Sequence, residues 1–244
     1  IYVLNASNES ILKNVYIDGL QELSDGILSL TGGVNFYNSD VTIINSVINN
    51  VFAEDALNIV KSNFQINGLE INKTVSDGID SDFSDGQIKN SIFRKIEGDA
   101  LDFSGSTVLI SNVKTSDVYD KAISAGEESI IEIYSSQLIN SNIGITSKDG
   151  SKVKVTDTRI SDYKLYGAMS YEKKNFYSEA ASIELNGCSV DGDSPYLRQF
   201  GSMMMVNTKE VPPSSFDVDA LYSMKTNEAD FKWTICIVMK LSLF

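Results

Sequence analysis

Carboxylates and lysines recur through the middle of this chain at intervals that a repeating fold would stack. Asp77, Asp80 and Asp82 share one short stretch, and Asp99 and Asp102 follow 22 residues after Asp77 and Asp80. Asp120, Lys121 and Glu127 belong to the next interval, Lys148 and Asp149 to the one after. Carboxyls brought together in this way have three uses. They can act as general acid and base on a glycosidic bond, which needs ~5–9 Å between them. They can hold Ca²⁺, which takes several oxygen ligands and is the one cofactor this pattern suggests. Or they can balance charge with neighbouring lysines on a solvated surface. The catalytic candidates are Asp80, Asp102, Lys121 and Lys148. The ligand-binding candidates are Asp77, Asp82, Asp99, Asp120, Glu127 and Asp149.

Stacking requires a repeat, and one is present. Ala56-Leu57, Gly78-Ile79, Ala100-Leu101, Ala122-Ile123 and Gly144-Ile145 begin 22 residues apart. A second series runs Ile44, Ile66, Ile88, Ile110, Ile133 and Val155, and a third Ser46, Gly68, Asn90, Asn112, Ser135, Asp157 and Gly187. A period of this size, rich in branched residues and with alternation of period two inside each segment, predicts an all-β solenoid of parallel strands. Asn, Gly and Asp in the third series suit a sharp bend, where stacked Asn side chains can hydrogen-bond along the axis.

If Leu57, Ile79, Leu101, Ile123 and Ile145 point inward, their neighbours point outward. One outward column is then small (Ala56, Gly78, Ala100, Ala122, Gly144) and the next polar (Asn58, Asp80, Asp102, Ser124, Thr146). The small strip reads either as the floor of a groove for an extended ligand or as relief of crowding at the bend. Strands ~4.8 Å apart would set Asp80 and Asp102 in repulsion unless they were solvated, protonated or bridged.

Composition excludes several functions. The chain has 244 residues, 42% of them hydrophobic, enough for one elongated core. Its net charge of −13 leaves no basic stripe, so a nucleic-acid partner is not expected. It has no histidine, which removes Ser-His triads and the usual zinc sites. Two cysteines, Cys188 and Cys236, make no disulfide framework. No apolar run reaches 18 residues, so no membrane span is expected, and the tail from Trp233 to Phe244 is interrupted by Lys240. The start at Ile1 and the sequons at Asn5, Asn8 and Asn72 fit a fragment of a larger, secreted or surface-exposed protein.

The expected division is a β-helix over 1–191 and a cap or return segment over 192–244, punctuated by Pro195, Pro212 and Pro213 and ending in the apolar run Ile235-Cys236-Ile237-Val238-Met239. An earlier coil is expected around Gly26-Ile27-Leu28. An outward loop is expected at Tyr171-Glu172-Lys173-Lys174-Asn175-Phe176-Tyr177, where the step from Val155 to Leu185 is 30 residues. Phe83 and Phe103 have inward parity.

Over roughly residues 24–190 the chain resembles the right-handed parallel β-helix, the pectin-lyase-like superfamily. Ser76-Asp77-Gly78-Ile79-Asp80, Gly98-Asp99-Ala100-Leu101-Asp102, Lys121-Ala122-Ile123-Ser124 and Gly144-Ile145-Thr146-Ser147-Lys148 are similar to the successive motif coils of polygalacturonase-type glycoside hydrolases. By that resemblance Asp77 and Asp99 fall on family acids and Lys148 on the substrate-binding lysine. Gly98, Lys121 and Thr146 depart from the family's Asp, His and Arg, which puts the standard reaction in doubt. Phrases such as Glu54-Asp55-Ala56-Leu57-Asn58 and Asp120-Lys121-Ala122-Ile123-Ser124-Ala125-Gly126-Glu127 are closer to bacterial surface β-helix repeat proteins, and imply an extracellular or cell-surface location.

Three functions remain open on the sequence. One is a module that binds or processes polysaccharide through an acidic groove. Another is a hydrolase, lyase or epimerase using Asp80, Asp102 and a lysine. The third is a rigid spacer or adhesin.

Overall fold

The computed structural model, which describes residues 1–24 and 29–222, is a parallel β-helix of about 8 turns with ~23 residues per turn. Its strands pair in register into three ladders that run the length of the molecule. The first contains Tyr2–Leu4, Gly32–Tyr37, Asp55–Val60, Asp77–Asp82, Leu101–Ser104, the ends of Lys114–Gly126 and Gln137–Lys148, Tyr166–Tyr171 and Tyr196–Arg198. The second runs from Ser10–Lys13 to Met203–Val206, and the third from Tyr16–Asp18 to Ser189–Asp191. Each turn contributes one segment to each ladder, so residues one period apart become vertical neighbours.

Alternation decides what fills the interior. Leu57, Ile79, Leu101, Ile123 and Ile145 are fully buried, as are Ile88, Ile110, Ile133, Val155 and Leu185. Burying a branched side chain of this size contributes about 1.5–3 kcal/mol, and the stack repeats that gain at every turn.

The corners hold the register. Between the first and second ladders the chain enters the left-handed region at Asn38, Lys61, Phe83, Gly105, Glu127 and Asp149. A buried serine follows soon after each: Ser39, Ser62, Ser84, Ser106, Ser129 and Ser151. Ser62 Oγ accepts the N–H of Ser39 at 2.8 Å, and Ser84, Ser106, Ser129 and Ser151 repeat the contact at 3.0–3.1 Å. Left unpaired, each such buried N–H would cost about 1–3 kcal/mol. The second corner, at Asn90 and Asn112, forms the expected asparagine ladder: Asn90 Nδ2 donates to Asn67 Oδ1 and Asn112 Nδ2 to Asn90 Oδ1.

Several expectations change in detail. The inward partner of Ile66 is Ile43 rather than Ile44, and the bend before Gly68 is Asn45 rather than Ser46, because that turn is 23 residues long. Phe103 is buried, but Phe83 is 58% exposed, since its positive φ turns it out of the strand alternation. Gly26-Ile27-Leu28 lies outside the described residues; the strand before Asp55–Val60 is Gly32–Tyr37, with Val34 beside Leu57. Past Asp191 the sequence repeat fades but the ladders do not, for Tyr196–Arg198 and Met203–Val206 still pair in parallel. Lys209–Glu210 then folds back antiparallel, and residues 218–222 form a short helix. Cys188 has no disulfide partner among the described residues; Cys236 and the Ile235–Met239 run lie outside them.

Candidate functional site

The charged residues singled out above occupy one side of the molecule, around the first ladder, but they divide into two columns. At the corner entering that ladder, Asp55, Asp77, Asp99 and Lys121 take equivalent positions in successive turns. Asp77 Oδ1 accepts the N–H of Asp99 at 2.8 Å, and Asp99 Oδ1 accepts the N–H of Lys121 at 2.9 Å. Lys121 Nζ then donates to both Asp99 oxygens at 3.0 Å and to Asp120 Oδ2 at 2.8 Å. Burial and the nearby Asp120 charge push Asp99 up to about 6, against the pull of Lys121. Burial opposes the charge on Lys121, but Asp99 and Asp120 outweigh it and hold its pKa above the ordinary value. Gly98 has no room for a side chain, because a β-carbon there would lie 1.9 Å from Asp77 Oδ1.

The second column lies on the outer face of the strands. Asn35, Asn58, Asp80, Asp102, Ser124, Thr146, Met169 and Leu197 follow one another across successive strands. Asp80 and Asp102 sit side by side, about 4.8 Å apart along the ladder. Burial, then the charges of Asp55, Asp82, Asp102 and Asp77, push Asp80 up to about 9. Its carboxyl is therefore protonated at neutral pH and can donate. Asp82, at the rim, is raised by burial and by Glu127 and Asp102. Asp55 is raised to about 6, by burial above all, although Asn58 Nδ2 donates to it at 2.8 Å.

Lys148 lies back along this column. Its stem crosses Gly126, and its Nζ donates to Ser124 Oγ at 3.0 Å and stands 4.0 Å from Asp102 Oδ1. Burial works against its charge, but Asp102 keeps its pKa raised. Among the described residues, Asn58 Oδ1, Asp102 Oδ1 and Thr146 Oγ1 on this column are buried without a hydrogen bond, as are Ser81 Oγ, Thr115 Oγ1 and Ser141 Oγ elsewhere, and Lys148 is the charged neighbour of Asp102 Oδ1. Proteins seldom leave such atoms unsatisfied without a reason.

A loop and a helix close over the far end. Asp149 Oδ1 accepts the N–H groups of Lys173 and Lys174, each at 2.7 Å, and Lys174 pairs with Glu127. Lys173 Nζ sits 4.1 Å from the centre of the Tyr222 ring, and the Tyr171 and Tyr222 hydroxyls are 2.6 Å apart. Burial and the charges of Lys148, Lys121 and Lys174 lower the pKa of Lys173.

The candidate residues thus fall into groups. Asp80, Asp102 and Lys148 meet on the outer face, with Asp82 at its rim. Lys121 is held by Asp99 and Asp120, with Asp77 beneath them, while Glu127 and Asp149 anchor the loop. That loop begins at Glu172; Tyr171, expected within it, ends a strand and is fully buried. The small strip is not a groove floor. Ala56, Ala100 and Ala122 are fully buried, and a β-carbon on Gly78 would lie 2.4 Å from the Ala100 carbonyl, so small residues there relieve crowding between turns. Among the described residues no three carboxylates converge as a ready-made metal site. Sequence reasoning missed the wall formed by Tyr171 and Tyr222, because Tyr222 comes from outside the repeat.

Comparison with known proteins adds the fold and little else. Neither a protein-family profile nor a curated protein sequence matches the chain. Among solved structures, the periplasmic alginate epimerase AlgG aligns with a TM-score of 0.57 and 13% identity, over 72% of this chain and 47% of the epimerase. Two variants of that epimerase align with TM-scores of 0.44 and 0.37, at 10% and 11% identity, each over 84% of this chain and over 74% and 73% of theirs. The likeness shows the parallel β-helix fold, and the chain spans about half the length of the first of these structures.

Proposed function

We propose that this chain is a polysaccharide-acting β-helix module of the cell envelope or exterior, and that its glycan lies on the outer face at Asp80, Asp102 and Lys148. The observation that carries the reading is the pair of half-buried carboxyls, Asp80 and Asp102, side by side on the outer face, the first neutral and the second 4.0 Å from Lys148 Nζ. Two adjacent carboxyls and a lysine can hydrogen-bond the closely spaced hydroxyls of a sugar. The fold likeness to a periplasmic alginate epimerase supports the same substrate class. The acidic total charge weighs against nucleic acid as the alternative polymer.

The chemistry follows from a neutral carboxyl, Asp80, beside a second carboxyl that faces a lysine. Asp80, neutral, can donate a proton to a leaving or bridging oxygen, and Asp102, next to Lys148, can accept one. Lys148 balances the charge that develops between them. Hydrolysis, elimination and epimerisation all draw on this acid, base and cation, so the reading fixes the roles and leaves the reaction among these three. No step is routed through Ca²⁺. Lys121, already bound to Asp99 and Asp120, has a supporting role.

The test is retention and product release on a polysaccharide panel, with and without Ca²⁺. Wild-type protein should bind or process at least one polymer. Asp102→Asn should lose about tenfold or more of that binding or rate, with its circular dichroism unchanged. Equal retention and turnover by wild type, Asp80→Asn and Asp102→Asn would overturn the assignment.

A further inference from the structure

We propose that Phe83 is a platform on which one sugar ring of the glycan stacks, beside the unit held at Asp80 and Asp102. This rests on the carbohydrate reading just given, and adds a second subsite and the direction in which the polymer lies. Phe83 directly follows the strand that carries Asp80 and Asp82, at the corner between the first and second ladders. The equivalent corner positions hold Asn38, Lys61, Gly105, Glu127 and Asp149, all of them polar or without a side chain. Phe83 alone among them is aromatic, and it stands 58% exposed.

Exposure of one phenylalanine is ordinary by itself. Exposure together with a left-handed backbone is not: the φ of Phe83 is 49°, a region that bulky side chains rarely enter and that asparagine or glycine adopts more easily. The corner does not need the ring. Its register is held by the Phe83 N–H, which donates to the Ser104 carbonyl at 2.8 Å, just as the Asn38 N–H donates to Val60 and the Lys61 N–H to Asp82. One edge of the ring rests against Gly105, where a β-carbon would lie 2.6 Å from it. Glycine in the next turn therefore seats the ring and leaves more than half of its surface open. Backbone strain retained under an open aromatic, at the rim of a site, points to use by a ligand.

The chemistry suits a sugar. The C–H groups on the face of a pyranose are slightly positive and the face of an aromatic ring is slightly negative, so the two attract when stacked. Asp82, half-buried between Asp80 and Phe83, can hydrogen-bond hydroxyls at the edge of the stacked unit. Three residues of extended strand separate Asp80 from Phe83, a distance of about 10 Å. That exceeds one sugar ring, so the unit on Phe83 is a neighbour of the unit on Asp80 and Asp102. The polymer then follows the strands, across the axis of the solenoid, and leaves over this corner.

The test is titration calorimetry of the full chain with oligosaccharides prepared from alginate, polygalacturonate and β-glucan, comparing wild type, Phe83→Asn, Phe83→Tyr and Asp102→Asn. Phe83→Asn should bind the recognised series about five- to tenfold more weakly. Its melting temperature should stay level or rise, because asparagine relieves the left-handed backbone. Phe83→Tyr keeps the ring face and should bind within about twofold of wild type. Unchanged affinity in Phe83→Asn, with Asp102→Asn impaired, would overturn the platform and leave the carbohydrate reading intact. So would an equal loss in Phe83→Tyr and Phe83→Asn, or a lower melting temperature in Phe83→Asn, which would assign the ring to the fold. Failure of every series to bind would overturn both.

Discussion

The corner column and the outer column are built from the same residue types a few positions apart, yet their side chains are spent differently. At the corner, Asp77 and Asp99 accept backbone N–H groups from the next turn, and Lys121 fills the remaining sites on Asp99. On the outer face, Asp102 Oδ1 makes no hydrogen bond among the described residues and faces only the Lys148 ammonium at 4.0 Å, and Asp80 is held neutral by burial beside other acids. The difference teaches that co-location of charge does not identify a site. What separates fold from function here is whether the polar atoms are already satisfied by the protein.

The largest effect should come from breaking the corner. Lys121→Ala leaves Asp99 and Asp120 buried without their cation, and should cost about 3–5 kcal/mol in equilibrium unfolding. A loss below about 1 kcal/mol would mean that the corner is not a closed ion pair.

The next effect concerns the tight approach between turns. Gly78→Ala drives a methyl into the Ala100 carbonyl, and should destabilise by about 1–3 kcal/mol. Gly98→Asp, which restores the acid of the polygalacturonase-type motif, should also lower the melting temperature and should not create that activity, because Asp77 occupies the space. A stable, active Gly98→Asp protein would erase the distinction between the columns.

The third sharpens the outer column through pH. The ordinary carboxyl value of 3.8 applies in the unfolded chain, and the folded value of Asp80 is about 9. The native state therefore keeps a proton that the unfolded chain releases. Its stabilising contribution is complete below about 4 and is lost as pH rises through 9. Asp55 and Asp99, raised to about 6, act in the same direction over a narrower window. Melting temperature should fall from mildly acidic to alkaline pH, and Asp80→Asn should flatten that fall. An unchanged slope in the variant would place the pH dependence elsewhere.

The smallest stability effect is expected from Thr146→Val. It removes a hydroxyl that has no partner, so stability should stay within about 0.5 kcal/mol of wild type or rise slightly. A clear loss of stability would show that the hydroxyl serves the fold.

Much of the architecture was legible in the sequence because a stacked fold repeats its constraints. The step of 22 from Leu57 to Ile145 marks the interior, and it also predicts that Asp80 and Asp102 are neighbours. The serine ladder of Ser62, Ser84, Ser106, Ser129 and Ser151 was not read from the sequence, and the structure shows that each Oγ receives an N–H from the preceding turn. Two things were not legible. Parity alone could not tell that the small strip faces the crowded corner, because the bend between ladders interrupts the alternation of period two. Nor could it show that Tyr222 reaches Tyr171, a contact 51 residues apart and outside the repeat.

The central claim is that the outer column holds a neutral acid ready for a ligand. Carbon-detected NMR of the Asp80 side-chain carboxyl across a pH titration tests it most directly. The account predicts a carboxyl still protonated at neutral pH, titrating near 9 and shifting when a glycan binds. A carboxyl that titrates at its ordinary value of 3.8 and ignores added glycan would contradict it.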